Sequence, residues 1–204
     1  MMFNFKLSNR RKRKKIQMKK HLNNKQNIRQ NNIQNDSQIE LNKKLLEESI
    51  KVRRFWGAPA WIFFHCLSEK IDEKYYLENY IIIFKLIKDI FNCIPCPMCR
   101  DHAIRKVDIH NNFKITDIDT KEKLKMFFFN FHNEVNKRVG VDVCSIRILN
   151  EYKDYNMQIV YKNFLKFFFK SYYSGTGLNR SHLRNSTKIN IKKYFNKNWN
   201  ILFK

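Results

Sequence analysis

Cys96-Pro97-Met98-Cys99 sets two thiols one helical turn apart, and His102 follows three residues later. Thiols at that spacing can close a small disulfide ring, hold a soft metal, or pass electrons to an acceptor. Proline directly after Cys96 suits the first helical position, where a missing N–H costs nothing. The pair then stands at a helix N-terminus, whose unpaired amides and positive dipole end stabilise a thiolate. Cysteines so placed titrate below their ordinary value of ~8.5, which favours attack on disulfides and electron donation.

Two further blocks of polar and aromatic residues flank the pair. Trp56-Gly57, Trp61 and His65 precede it at helical spacing, and His132-Asn133-x-Val135-Asn136-Lys137-Arg138 follows it. His132 and Asn136 share one helix face, as do Asn133 and Asn136. Phe128, Phe129, Phe131 and Val135 flank them. Polar groups buried among such neighbours need partners, and each unmet one costs about 1–3 kcal/mol. The edge of a bound ligand can supply them.

A metal is the rival reading. Cys93, Cys96, Cys99 and His102 keep uniform three-residue spacing, with Cys144 in reserve. That pattern suits zinc or an iron–sulfur cluster in a basic binding protein. Zinc usually takes ligand pairs from two segments, however, and one continuous helix cannot wrap four ligands round an ion. Metal therefore ranks second, and no metal ligand is assigned. A thioredoxin-type fold also uses Cys-Pro-x-Cys but needs alternating strands and helices. No such alternation is visible, and no proline follows Pro97 to serve as that fold's cis-proline.

The elements that must position these residues are helical. Only four glycines and three prolines occur in 204 residues, which disfavours turn-rich β architecture. A first helix is expected after Trp56-Gly57-Ala58-Pro59, carrying Trp61, Phe64, His65 and Ser68. A second runs from Glu73 to Phe91 with Tyr76, Tyr80, Ile83, Phe84, Ile87 and Phe91 on one stripe. A third spans Pro97–Ile109. A fourth opens at Asp119, with Glu122 completing a capping box, and ends at Gly140. A fifth runs from about Ser145 to about Phe169. Residues 174–204 read as a loosely ordered basic tail, with Trp199 and Phe203 as its only anchors.

Charge is unevenly spread. The net charge is +23, yet all eighteen acidic residues lie between Asp36 and Asp154. Residues 1–35 carry eleven Lys/Arg and residues 156–204 carry ten, which leaves twenty against eighteen acids in between. The middle is nearly neutral, and the arms suit polyanions or anionic membrane. A nucleic-acid-binding module is a third reading, resting on the arms alone. No stretch reaches the ~18 apolar residues of a membrane span. The expected organisation is a basic disordered arm over 1–38, a domain over 39–155, and a basic helix and tail over 156–204.

The three blocks, in their order and rough spacing, resemble the Erv/ALR sulfhydryl oxidases over residues 55–155. The wording Pro95-Cys96-Pro97-x-Cys99-Arg100-x-His102-Ala103 is especially similar to members encoded by large DNA viruses such as poxviruses. The resemblance implies an all-α fold, a four-helix bundle plus a fifth helix around noncovalent FAD, with flexible basic arms at both ends. It implies an enzyme that makes disulfides in partner proteins and passes electrons to O2, giving hydrogen peroxide. Cys99 would lie against the flavin, and Cys96 would exchange with substrate. Trp61, His65 and His102 would wall the flavin ring and adjoining parts of FAD. His132, Asn133, Asn136 and Lys137 would line the adenine and phosphate side, and Trp56, Gly57 and Val135 would belong to the same cofactor site.

Expected partners are thiol-bearing proteins, a thioredoxin-like carrier among them, and a second copy of the chain through the stripe on residues 76–91. The expected compartment is host cytoplasm or virion, with the mitochondrial intermembrane space as alternative. Phe129 stands where many cellular members have the first cysteine of a second disulfide, which leaves Cys144 without that partner. Neither arm contains a shuttle cysteine pair. Electrons then arrive directly from partner thiols, or through Cys93. Cys66 is expected as a packed core thiol.

Overall fold

The computed structural model describes residues 55–170 and 178–204, and all regular structure among them is helical. The expected arm over 1–38 lies outside the described residues. Helix α1 covers 55–70. It is followed by α2 (Glu73–Asn92), α3 (Pro97–Lys106), α4 (Lys121–Arg138), α5 (Met157–Phe168) and α6 (Leu178–Leu202). Short 3₁₀ segments at Ile109–Asn111, Ile115–Asp117 and Ile146–Lys153 fill the connections.

Helix α1 is the hub, because its adjacent Phe63 and Phe64 are both buried and touch every long helix. The Phe64 ring meets Phe91 of α2 at 5.5 Å, Phe128 of α4 at 4.8 Å and Phe164 of α5 at 6.5 Å. Phe63 stacks on Phe164 at 4.1 Å and meets Phe195 of α6 at 5.9 Å. Aromatic pairs at these separations add about 0.5–1.5 kcal/mol each beyond the area they bury.

Helix α2 keeps its expected bounds to within a residue. Asp72 caps it by accepting the Tyr75 amide at 2.8 Å. Its stripe faces the chain's own interior: Tyr76, Ile83, Ile87 and Phe91 are buried, and Tyr80 and Phe84 pack against the same core. The apolar surface offered above for pairing two copies is thus largely used within one copy.

Helix α1 already takes in Trp56–Pro59, which were expected to precede it. Four other boundaries differ from the sequence expectation, each for a local reason. Helix α3 stops at Lys106 rather than Ile109, and Asp108 caps a separate 3₁₀ turn by accepting the His110 amide. Helix α4 is capped by Thr120, whose hydroxyl accepts the Lys123 amide, whereas Asp119 takes the Lys123 ammonium at 2.7 Å. It closes at Arg138, and Gly140 follows at φ +72°, the left-handed region that glycine enters freely. The single helix expected over 145–169 is two elements. Ser145 caps the 3₁₀ segment, and Asn156 caps α5 by accepting the Gln158 and Ile159 amides.

The largest departure is α6. Residues 178–202 form a helix of 25 residues instead of a loose tail. Ile191, Phe195 and Leu202 are buried. Phe195 packs on Tyr161, and Trp199 and Phe203 lean on each other and on the same cluster. Helix α6 runs antiparallel to α2. The Asp72 amide donates to the Leu202 carbonyl at 2.7 Å, and Tyr75 and Tyr194 share a hydroxyl bond at 2.8 Å. No described helix is long and apolar enough to cross a membrane.

Candidate active site

Cys96 and Cys99 are joined as a disulfide, with Cα atoms 5.2 Å apart, inside the usual range. Cys96 is the N-cap of α3 and Pro97 its first residue. The Cys99 amide donates to the Cys96 sulfur at 3.2 Å. One of the four unpaired amides of the helix start is therefore spent on sulfur, an arrangement that favours charge on Cys96 once the bond is reduced. Both cysteines are half-buried, and Met98 between them is 69% exposed. The disulfide thus lies at the surface, with core on one side and solvent on the other.

The other two sequence blocks meet beside it. Trp61 of α1 stacks flat on His132 of α4, with ring centroids 4.2 Å apart and planes 9° from parallel. His65, one turn after Trp61, shares a hydrogen bond with His132, Nε2 to Nδ1, at 3.0 Å. Phe131 ties this tier to α3, because its ring lies 5.4 Å from Trp61 and 5.4 Å from His102. His102 is one turn beyond Cys99, so a continuous aromatic path runs from the disulfide helix to the histidine pair.

Burial keeps that pair neutral. His65 is lowered to a pKa of about 3, by burial first and by His132 second. His132 is lowered to about 4 by burial. An unfolded histidine titrates near ~6.5, so between about pH 4 and pH 6.5 the unfolded chain binds more protons than the folded one. Stability therefore falls as pH drops through that window. The fall is on the order of 1 kcal/mol per pH unit from His65, which is 2% exposed. Melting temperatures measured from pH 7 to pH 4 should fall less steeply in His65→Gln than in the parent. Equal slopes would show that the imidazole is not the titrating group.

Two contributors escaped the sequence reading. Glu134 of α4 accepts the His102 Nε2–H at 3.0 Å and pairs with Lys106 through its other oxygen. Burial works to raise the Glu134 pKa, but the bonds from Lys106 and His102 outweigh it and hold the carboxyl below its ordinary value. A carboxylate only accepts, so this contact fixes the proton of His102 on Nε2. The available signal was the His102/Lys106 pair at i,i+4, two donors on one face awaiting an acid. The second contributor is Tyr152 of the last 3₁₀ segment, stacked on His65 at 4.6 Å. The break in the expected fifth helix is what brings it there.

The remaining candidates go to different places. Both ends of the Asn133 amide are used on the Cys144 backbone, at 2.9 and 3.0 Å, and Asn136 reaches the Asp142 carbonyl at 3.5 Å. These two side chains tie the extended segment 141–145 to α4. Val135 packs partly against the core, and Lys137 is exposed. Trp56 is buried and meets Phe168 edge-on at 6.0 Å, on the α5 side of the core. Gly57 has open space where a Cβ would stand, so packing does not require glycine there.

The four groups of the metal alternative do not converge. Cys96 and Cys99 are bonded to each other, Cys93 is buried in the core, and His102 turns to Glu134. Among the described residues no three His, Cys, Asp or Glu side chains gather at one point. Cys66 is buried and raised to about 12, chiefly by burial, as a core thiol should be. Cys144 is exposed and unbonded.

A flavin nucleotide suits what is present. Its ring system has apolar faces and a polar edge, and the Trp61–His65–His132 tier offers flat rings with neutral imidazole nitrogens. His65 Nδ1 is buried with no hydrogen-bond partner among the described residues, a polar atom left for a ligand to satisfy.

Comparison with known proteins agrees with this geometry. Residues 58–155 match the Erv1 / Alr family. A protein of Invertebrate iridescent virus 3 named as an FAD-linked sulfhydryl oxidase is 28% identical over 87 residues, 43% of this chain and 57% of the relative. One of Invertebrate iridescent virus 6, similarly named, is 29% identical over 92 residues, 42% of this chain and 79% of the relative. The FAD-linked sulfhydryl oxidase of African swine fever virus is 29% identical over 108 residues, 52% of this chain and 84% of the relative. The first of these matches thus takes in less than two thirds of the relative's length. No solved structure matches the chain at a significant level. The matched segment, just under half of the chain, holds the disulfide, both histidines of the buried pair and the asparagines behind them, and over that segment the chain is similar to the Erv1 / Alr family.

Proposed function

We propose that this protein is an FAD-dependent thiol oxidase that makes disulfides in thiol-bearing partner proteins. The observation that carries the reading is a surface disulfide that caps a helix, with His102 of that same helix joined through the Phe131 ring to a buried tier of neutral aromatic groups. Bound at that tier, FAD would accept two electrons from the reduced pair and deliver them to O2, giving hydrogen peroxide. Trp61, His65, His102 and His132 would hold it, with Trp56, Gly57 and Val135 as supporting wall. Lys137 would serve the phosphates, and Asn133 and Asn136 would act by fixing the segment beside them.

The protein's own part is thiol exchange. A substrate thiolate attacks the Cys96 sulfur, the Cys96–Cys99 bond breaks, and Cys99 leaves as thiolate. A second substrate thiolate attacks the substrate sulfur of the mixed disulfide, and Cys96 leaves. In that second step the hydrogen bond from the Cys99 amide helps Cys96 to leave, because lower-pKa thiols depart faster. Two substrate thiols have then become one disulfide, and the two electrons rest on the cysteine pair.

The full chain, purified, should show the visible absorption of an oxidised flavin and consume O2 when given a dithiol substrate. A colourless protein that takes up no added FAD and consumes no O2 would end the proposal. We also propose host cytoplasm or virion as the place of action, a reading supported by the viral origin of the three relatives.

A further inference from the structure

Helix α6 lies outside the segment matched to the family, yet it touches the redox loop directly. Arg184, near its start, donates one guanidinium nitrogen to the Cys93 carbonyl and another to the Phe168 carbonyl, the latter at 2.6 Å. Its guanidinium also lies over the Phe168 and Phe169 rings, at 5.7 and 5.6 Å. One turn further along α6, Thr187 is buried, and its hydroxyl partly offsets the rise that burial gives the Cys93 thiol pKa. Cys93 itself is 1% exposed. Only Ile94 and Pro95 separate it from Cys96.

These contacts fall where α2 ends and the disulfide loop begins, and at the end of α5. The carbonyls at the end of a helix lack intrahelical partners. Here the end of α2 and the end of α5 are closed by a single guanidinium, whose planar fork can serve two acceptors at once. From these contacts we infer that Arg184 is a positioning residue for the Cys96–Cys99 pair, and that α6 is a latch keeping the Cys93 thiol out of exchange with that disulfide.

The reaction prevented is intramolecular and needs no outside oxidant. The Cys93 thiolate would attack the Cys96 sulfur and form Cys93–Cys96. The Cys96–Cys99 bond would break, and Cys99 would leave as thiolate, taking the proton that Cys93 lost. Cys93 stands three residues before Cys96, the same sequence separation that Cys96 keeps from Cys99, so spacing along the chain alone does not forbid the exchange. Burial under α6 does, since only a thiolate attacks. Burial also raises the Cys93 pKa, with the Thr187 hydroxyl and Arg184 opposing. This inference rests on the reading that Cys96–Cys99 is the redox pair.

The test is maleimide labelling of the oxidised full-length protein, with each cysteine read by peptide mapping. Exposed Cys144 should label at once in every variant. In Arg184→Ala, label on Cys93, or on Cys99 after exchange, should appear about tenfold faster or more. That is the change in local opening expected when carbonyls lose charge-assisted bonds. Cys66, equally buried but held between α1 and the 3₁₀ segment, should stay protected. Arg184→Lys keeps the charge but lacks the fork, so its Cys93 should label at an intermediate rate; it also answers the question should the alanine variant fail to fold. Cys66 and Cys93 accelerating together would mean a general loss of stability and overturn the latch. No acceleration at either would overturn it too. Labelling needs no turnover, so its outcome is separate from whether the pair oxidises thiols.

Discussion

Cys99→Ser is expected to bring thiol-dependent oxygen uptake down to background while leaving Cys96 as an unpaired thiol. The reason lies in the exchange sequence. With serine at position 99 there is no disulfide for the substrate to attack, and no second sulfur through which two electrons can be stored. The remaining Cys96 still caps α3 and still accepts the amide of residue 99. Its thiolate character survives, so incubation with oxidised glutathione should leave a stable glutathione adduct, visible as a mass increase on the Cys96 peptide. In the parent protein Cys99 would resolve the same adduct and none should persist. Cys96→Ser should reach the same background in oxygen uptake. The packing around the pair changes little when one sulfur becomes oxygen, so both variants should keep the parent's thermal stability apart from the small loop the disulfide closes. Oxygen uptake retained by either variant would remove the pair from the role given to it.

The second large effect concerns stability and sits far from the disulfide. Phe195→Ala should destabilise the protein by about 3–5 kcal/mol, the usual loss for a buried phenylalanine that leaves a cavity. Phe195 is 1% exposed and is shared by five ring neighbours: Phe63 of α1, Tyr161 of α5, Tyr194 and Trp199 of its own helix, and Phe203 just beyond that helix. No single neighbour can move to fill the gap without leaving the others. Domains are ordinarily stable by about 5–15 kcal/mol, so the loss would take up a large part of the total. Urea unfolding of the full chain should show a lower midpoint with an unchanged slope. Removing residues 178–204 should cost still more, because Phe63 and Tyr161 would then face water. A Phe195→Ala midpoint within experimental error of the parent would show that α6 does not belong to the core.

The chemistry was legible in the sequence because it depends on residue types at short separation. Two cysteines at i,i+3 after a proline-marked helix start can be read without knowing any long-range contact. The same holds for Trp61 and His65 on one face, and for His132 with Asn133 and Asn136. Scarce glycine and proline with clear helical periodicity settled the all-α class for the same reason. Helix ends were less readable. Asp119 and Thr120 are both good caps, and only the geometry of the preceding turn decided that threonine takes the Lys123 amide and aspartate its ammonium.

What the tertiary structure alone decided are relations across long separations. Glu134 is one acid among eighteen until α4 is set beside α3, and only then does it fix His102. Tyr152 is a tyrosine in a connecting segment until the chain breaks at 154–156 and lays it on His65. Residues 178–202 spread their apolar groups thinly among lysines and asparagines, which reads as a solvated tail. Their burial arises because α1, α2 and α5 leave a groove that those few side chains fill. Local periodicity reports what a segment can bury; it carries no record of the surface waiting to receive it.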